Sequence, residues 1–203
     1  MGNTHAKNRI RQIIIKNSSQ LDLTPIERFG ISIKYINMKN RSMESIDLDN
    51  YSEYAKYDIV PNDSIMVKII DGDIAGTDDE FAFGLSYIED RSVYISRHRL
   101  KQQYYQNDDL IMQCVNFFGK TPNELVFSHY TETQLLEHLL IHEIGHVLTD
   151  RDFHCSGKNC IMRSINSIVD LTKKTDYCTS CLKKIKENIK GAWNNSCTAK
   201  YPH

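Results

Sequence analysis

The first thing that this sequence lacks is an excess of charge of either sign. Its 25 lysine and arginine residues nearly balance 26 aspartate and glutamate residues, which leaves a formal net charge of −1. A near-neutral chain does not create the dominating positive field with which proteins coat nucleic acid. The sequence also has no apolar run close to the roughly 20 residues that a membrane-spanning helix requires. We therefore expect neither a membrane protein nor a nucleic-acid coat.

The beginning of the sequence shows no secretory signal, because its basic residues are followed by no apolar h-region. A length of 203 residues, 40% hydrophobic and 25% charged, is typical of one globular domain with its own core. We therefore expect a soluble, cytoplasmic protein that forms a single domain over residues 1–203.

The cysteines are concentrated near the end of the chain. Of six cysteines only Cys114 lies early, and the others are Cys155, Cys160, Cys178, Cys181 and Cys197. In a reducing compartment, clustered thiols bind metal more often than they form disulfides. Two close pairs, Cys155 with Cys160 and Cys178 with Cys181, have the ligand spacing of a tetrahedral zinc site. The alternative is that these four thiols are buried or unpaired and bind no metal.

Hydrophobic patterning divides the chain into an upper subdomain, residues 1–150, and a small cysteine-rich lower subdomain, residues 151–203. It predicts helices over residues 6–16, 48–57, 99–118 and 182–190. It predicts strands over residues 31–36 and 65–70, and a hairpin of residues 81–88 with 93–96 near a sheet edge. The predicted fold class is α+β, with an upper subdomain of α/β type.

The clearest predicted helix begins at a capping box formed by Thr131 and Gln134. It contains His142, Glu143 and His146 in the pattern HExxH. Spacing of i, i+4 places the two imidazoles on one helix face, about 6 Å apart, where they can share one metal ion. Glu143 lies beside them and can take a proton from a metal-bound water. The alternative is a helix with two histidines that bind no metal.

A catalytic zinc takes three protein ligands and keeps one position open for water, so the two histidines need a third partner. Asp152 lies six residues after His146, and His154 lies eight residues after it. Both carry a donor atom that zinc accepts, and the residues alone leave both open.

The chain resembles the archaemetzincins, a branch of the metzincin zinc peptidases. Their pattern is HExxHxxGxxHC, followed by a further cysteine, a methionine and a CxxC pair. The matching residues of this sequence are His142, Glu143, His146, His154, Cys155, Cys160, Met162, Cys178 and Cys181. Segments that begin at Asp71, Phe83 and Val93 extend the resemblance, which covers roughly residues 60–190.

The resemblance implies a metzincin-like fold with a mixed, twisted sheet, a long active-site helix and a lower subdomain held by zinc. It implies two zinc ions per chain, a catalytic one on the histidines and a structural one on the four cysteines. Met162 would be the Met-turn residue, an apolar floor beneath the catalytic ligands.

Two departures from the family pattern bear on the third ligand. The family glycine after the second histidine is Thr149 here, and the stretch from His146 to the His-Cys pair is two residues longer. Counting from His146 puts Asp152 in register, whereas counting from the adjacent Cys155 puts His154 in register. We prefer His154, because Cys155 is tied to the four-cysteine site and holds its neighbour near the catalytic metal.

The implied function is a zinc-dependent peptidase that acts on peptides or proteins, with Glu143 as general base. The substrate would lie extended along the edge strand of the hairpin and add one strand to the sheet. One alternative is a zinc-knuckle protein associated with nucleic acid, similar to the SprT-like proteases. Another is an inactive relative in which the turn at Thr149 no longer assembles the catalytic site.

Overall fold

The computed structural model describes residues 10–16, 21–36, 45–47, 60–61, 63–76, 81–106, 108–152, 154–172 and 176–190. Its strands are β1 (Gln12–Lys16), β2 (Ser32–Ile36), β3 (Ile46–Asp47), β4 (Ser64–Ile70), β5 (Ile74–Ala75), β6 (Gly84–Tyr87) and β7 (Ser92–Ser96). Five of them form a mixed sheet in the order β2-β1-β4-β7-β6, in which only the β6–β7 pair is antiparallel.

Strand β1 corrects the helix expected over residues 6–16, of which residues 6–9 lie outside the described part. Its isoleucines Ile13, Ile14 and Ile15 are all buried, between β2 on one side and β4 on the other. Three consecutive β-branched residues suit a parallel strand that is covered on both faces. The helical spacing of Ile10, Ile13 and Ile14 was therefore a coincidence of a continuous apolar run.

The other predicted strands of the sheet are confirmed. Strand β4 lies in the middle of the sheet, and six of its seven residues are buried. Strands β6 and β7 form the expected hairpin, with Leu85 opposite Tyr94. Within the described part of the chain, strand β6 pairs only with β7 and is an edge of the sheet.

The α-helices of the described residues are α1 (Thr24–Glu27), α2 (Asp108–Phe118), α3 (Glu132–Thr149), α4 (Ile168–Leu171) and α5 (Thr179–Ile189), and Asn123–Phe127 form a π-helix. Only the second half of the helix expected over 99–118 is α-helical. The first half consists of two short 3₁₀ helices, His98–Leu100 and Gln102–Gln106, where the Tyr105 hydroxyl donates to the Arg99 carbonyl. Helix α2 ends at Phe118, and the residue after it, Gly119, has a φ of +69°. The helix expected over 48–57 lies outside the described residues.

Helix α3 is the central element, and its capping box at Thr131 and Gln134 is confirmed. It is buried without interruption from Leu139 to Thr149, between the sheet and the lower helices α4 and α5. Two buried side chains join the lower part to its carbonyl groups: the Tyr177 hydroxyl donates to Ile141, and the Asn188 amide donates to Leu148. Among the described helices, none is long and apolar enough to cross a membrane.

Candidate active site and metal centres

Three histidines converge at the C-terminal half of α3. His142, His146 and His154 each bring one ring nitrogen within 4.8 Å of the others. The Nε2 atoms of His142 and His146 are 3.2 Å apart, and the His154 ring stacks on His142 with 5.3 Å between centroids. We call these three residues the histidine group.

Backbone carbonyls orient two of these rings. Nδ1 of His142 lies 2.6 Å from the Ile161 carbonyl oxygen, and Nδ1 of His146 lies 2.7 Å from that of Arg151. Because Nδ1 must carry the proton to donate there, Nε2 presents its lone pair to the centre of the group, which is the usual arrangement around a metal-binding histidine. Burial also lowers the pKa of His146, which favours the neutral form that ligates metal.

The spacing of these nitrogens fits zinc. A tetrahedral zinc with Zn–N bonds of 2.0–2.1 Å separates two ligand nitrogens by about 3.3 Å, close to the 3.2 Å between His142 and His146. The exposed Asp152 is not a member of the group, whereas His154 is. Asp152 acts on His146 only as a nearby charge that raises its pKa.

The turn that follows α3 differs from the one that a family glycine would make. Thr149 remains helical and buried, and its hydroxyl donates to the Gly145 carbonyl at 2.7 Å. The left-handed residue is Asp150 instead, with φ 55° and ψ 49°. The amides of Asp150 and Arg151 donate to the carbonyls of Val147 and His146, which is a Schellman motif. The chain therefore reverses one residue later than the family pattern predicts.

Glu143 lies against the edge strand. Its side chain is 7% exposed, and burial raises its pKa to about 7, although a hydrogen bond from Ser86 lowers it. The Ser86 hydroxyl is the donor to Oε2, and it also lies 2.9 Å from the Glu143 backbone carbonyl oxygen. A carboxyl whose pKa lies near neutrality can both accept and release a proton at that pH.

A cleft of about 480 Å³ opens beside these residues. Its lining residues are Phe81, Ala82, Phe83, Gly84, Leu139, His142, Glu143, His154, Ile165 and Asn166. Phe81 is 43% exposed at this wall, and the Arg99 guanidinium covers its ring at 4.0 Å from the centroid. Arg99 in turn donates to both oxygens of Asp73, at 2.8 and 2.7 Å. Apart from Glu143 and the imidazoles, the cleft presents no ionisable side chain among the described residues.

Met162, the Met-turn residue that the resemblance implies, packs against α3 at Gly145. It is 2% exposed, and a Cβ atom built on Gly145 would lie 2.3 Å from its Sδ and 2.9 Å from Tyr177 Cε1. Only glycine leaves room for these two side chains against the helix backbone. Gly145 therefore lets the apolar floor approach the turn of helix that carries both histidines.

The four cysteines of the lower part form a second cluster, which we call the thiol group. The Sγ atoms of Cys155 and Cys178 are 3.7 Å apart, as are those of Cys160 and Cys181. A tetrahedral zinc with Zn–S bonds of about 2.3 Å sets its sulfurs about 3.8 Å apart, so the sulfur spacing fits this ion. Although burial opposes it, hydrogen bonds from the Cys181 amide and from neighbouring thiols lower the pKa of Cys178 to about 7.

One peptide bond joins the two groups, because His154 precedes Cys155 directly. The Cys155 amide donates to the Met162 carbonyl at 2.7 Å. His154, Met162 and two members of the thiol group, Cys155 and Cys160, are thus parts of one folded segment.

Sequence reasoning missed several residues of the site, and two of them touch Glu143. Gly84 and Ser86 reach it from β6, and Ser86 lies 57 residues away along the chain. The sequence predicted that Gly84 and Ser86 lie in an edge strand, but no local pattern predicted that this strand contacts Glu143 on α3. One turn before His142 on α3 lies a further histidine, His138, whose Nδ1 is 2.7 Å from the Leu171 carbonyl oxygen and which stands outside the histidine group. Cys197 lies outside the described residues.

Several known proteins are similar to this chain in sequence or in fold. The profile of peptidase family M54 matches residues 68–187. An archaemetzincin of Methanocaldococcus jannaschii is 32% identical over 126 residues, which are 62% of this chain and 59% of that protein. An archaemetzincin of Sulfolobus acidocaldarius is 36% identical over 111 residues, 54% of this chain and 50% of that protein. The chain thus spans between half and three fifths of the length of these relatives.

The crystal structure of archaemetzincin from Methanopyrus kandleri has a TM-score of 0.57 with this chain at 15% identity, and it covers 94% of this chain and 99% of that one. At this identity the likeness concerns the fold alone. It confirms the expected metzincin-like architecture of mixed sheet, long helix and cysteine-rich lower part.

Proposed function

Since this chain belongs to peptidase family M54, whose profile matches residues 68–187, we propose that it is a zinc-dependent peptidase. One observation supports this above the others: three imidazoles have metal-ligand spacing, and two of them, those of His142 and His154, line one cleft together with the Glu143 carboxyl. The cleft lies beside the edge strand β6, where an extended chain can pair with the sheet.

We assign His142, His146 and His154 as ligands of a catalytic zinc, with His154 rather than Asp152 as the third. We assign the thiol group to a structural zinc, which makes two zinc ions per chain. The imidazole spacing of 3.2 Å and the sulfur spacings of 3.7 Å support both assignments. Bound at the histidine group, zinc would polarise a substrate carbonyl and make water a nucleophile near neutral pH.

The protein itself supplies proton transfer and positioning. Glu143 accepts the proton of the attacking water and delivers it to the leaving amine. The outer edge of β6 binds the peptide main chain. Phe81, Leu139 and Ile165 at the cleft wall take an apolar side chain of the peptide. These three residues offer a charged side chain no partner, and the ionisable lining residues are the proposed catalytic ones.

The test begins with the metal content of the purified chain and its hydrolysis of a mixture of short peptides. Glu143→Gln should keep both zinc ions and lose hydrolysis by at least a hundredfold, since the amide cannot accept the proton. Glu137→Gln is the matched control on the same helix, because Glu137 bonds the Asp22 amide outside the cleft and should leave hydrolysis unchanged.

Two outcomes would contradict the proposal. If the Glu143→Gln variant still hydrolyses peptides at the wild-type rate, Glu143 is not the general base. A wild-type chain that binds two zinc ions but cleaves none of the peptides would favour the inactive relative instead.

A further inference from the structure

The edge strand β6 holds the carboxyl of Glu143 by two residues that the family resemblance does not assign. Gly84 and Ser86 are two positions apart, so they face the same side of the strand, and that side is turned toward α3. One supplies space for the carboxyl, and the other supplies a hydrogen bond to it.

The space comes from the missing side chain of Gly84. A Cβ atom there would lie 2.8 Å from Cγ of Glu143 and 3.0 Å from both Cδ and Oε1. Distances under about 3 Å force one of the atoms to move, and here the atoms that would move belong to the carboxyl itself. Gly84 therefore forms a slot in the strand into which the end of Glu143 fits.

The hydrogen bond comes from Ser86. Its hydroxyl donates to Oε2 of Glu143 and lies 2.9 Å from the backbone carbonyl oxygen of the same residue. A glutamate side chain on a helix has several rotamers, and most of them would point the carboxyl elsewhere. With Oε1 beside Gly84 and Oε2 bonded to Ser86, a single orientation is favoured, and it leaves the carboxyl at the cleft.

We propose that Gly84 and Ser86 are positioning residues for the general base, which fix the Glu143 carboxyl at the cleft before substrate arrives. This inference rests on the proposed peptidase function. Pre-organised orientation acts on the chemical step rather than on peptide binding, so losing it should lower kcat and leave KM unchanged. A merely structural role would instead change the amount of folded, zinc-loaded protein.

The experiment measures kcat and KM of zinc-loaded variants per mole of bound zinc, on a peptide that the wild type cleaves. Ser86→Ala should lower kcat about tenfold, the equivalent of one hydrogen bond to a charged group, with KM within twofold. Ser86→Thr keeps the hydroxyl and should restore most of kcat. Gly84→Ala should lower kcat further than Ser86→Ala, because the added methyl group occupies the place of the carboxyl.

Ser96→Ala is the matched control. Ser96 is a buried serine of the neighbouring strand β7 whose hydroxyl donates to the Gly72 carbonyl at 2.7 Å, away from the cleft. It should leave kcat per bound zinc unchanged, even if stability falls.

A readout independent of activity uses the thermal stability of the zinc-loaded protein. In a double-mutant cycle of thermal unfolding, the Tm losses of Ser86→Ala and Glu143→Ala should be less than additive, because both remove the same contact.

The outcomes separate the two proposals. Suppose that the wild type cleaves peptides and that Ser86→Ala keeps the wild-type kcat, or loses activity only in proportion to its loss of bound zinc. The positioning role is then wrong, whereas the proposed peptidase function is retained. Additive Tm losses would also contradict the contact. If the wild type cleaves nothing, the proposed function fails and the positioning role falls with it.

Discussion

The imidazole of His146 is hydrogen-bonded through Nδ1 to the carbonyl oxygen of Arg151, five residues later and on the far side of a chain reversal. The reversal depends on Asp150, whose φ is 55°, while Thr149 completes the helix before it. The turn therefore both ends α3 and orients one of the candidate zinc ligands. Thr149 is compatible with an intact site, because the strained backbone position has moved to Asp150.

The first prediction concerns that turn. Asp150→Val should lower the free energy of unfolding by about 1–2 kcal/mol, because a β-branched residue tolerates a left-handed backbone poorly. It should also weaken zinc binding at the histidine group about tenfold, since the orienting carbonyl of Arg151 shifts. Urea unfolding and zinc titration against a chelator measure both effects. Asp150→Gly is the control for zinc binding and should keep the wild-type affinity, because glycine adopts the left-handed backbone without strain. Wild-type zinc affinity in the valine variant would show that the turn does not position His146.

The second prediction concerns the third catalytic ligand. His154→Ala should reduce bound zinc from two equivalents to one and abolish hydrolysis, because only two imidazoles remain. Asp152→Ala should keep both equivalents, since Asp152 is exposed and outside the histidine group. Metal analysis after gel filtration decides between them, and the reverse pattern would make Asp152 the ligand.

The third prediction concerns the thiol group. Cys178→Ser should lose the structural zinc and lower the unfolding midpoint in urea, because the metal holds segments that otherwise depend on weak thiol contacts. Hydrolysis should fall as well, since Cys155 adjoins His154. Cys114→Ser is the control, as this thiol lies on α2 outside both groups. Unchanged zinc content in Cys178→Ser would show that the cluster is four thiols without a metal.

The fourth prediction concerns the close approach of Gly145 and Met162. Gly145→Ala should lower the free energy of unfolding by about 1–3 kcal/mol through overpacking, although alanine is the better helix former. Equilibrium unfolding in urea measures the change, and the exposed helical site Gln113→Ala should show none beyond about 0.5 kcal/mol. A stable Gly145→Ala variant would mean that Met162 and Tyr177 can move aside.

The fifth prediction concerns the support of Phe81. Arg99→Met removes both the cation over the Phe81 ring and the partner of Asp73, so we expect a stability loss of about 1–3 kcal/mol. We also expect kcat/KM to fall more for peptides with large apolar side chains than for those with small ones, because the cleft wall loosens. Arg97→Met, which removes only a half-exposed pair with Glu132, should leave that ratio unchanged.

The sequence was sufficient where chemistry depends on local spacing. The HExxH pattern on a capped helix predicted how His142 and His146 face one another, and the two cysteine pairs predicted the thiol group. Strand β4 was also predictable, because a dense apolar run before a turn suits the middle of a sheet.

It was insufficient where a feature depends on pairing between distant segments. Strand β1 looked helical because isoleucines at helical spacing are also present in a continuous apolar strand, and only its neighbours β2 and β4 decide between the two. The contacts of Gly84 and Ser86 with Glu143 arise across the sheet–helix boundary, so no local pattern contains them. The position of the left-handed residue was missed for a local reason. The Thr149 hydroxyl donates to the Gly145 carbonyl within the helix, so Thr149 stays helical and Asp150 takes the left-handed backbone.

On the proposed metal assignments, the single peptide bond between His154 and Cys155 couples the two sites. A metal that gathers the four thiols also fixes Cys155 and with it the neighbouring imidazole, so the structural ion would be acquired first and the catalytic ion second. A chain supplied with one equivalent of zinc would then be folded but inactive. When zinc is scarce, such a protein would remain folded but would not hydrolyse peptides.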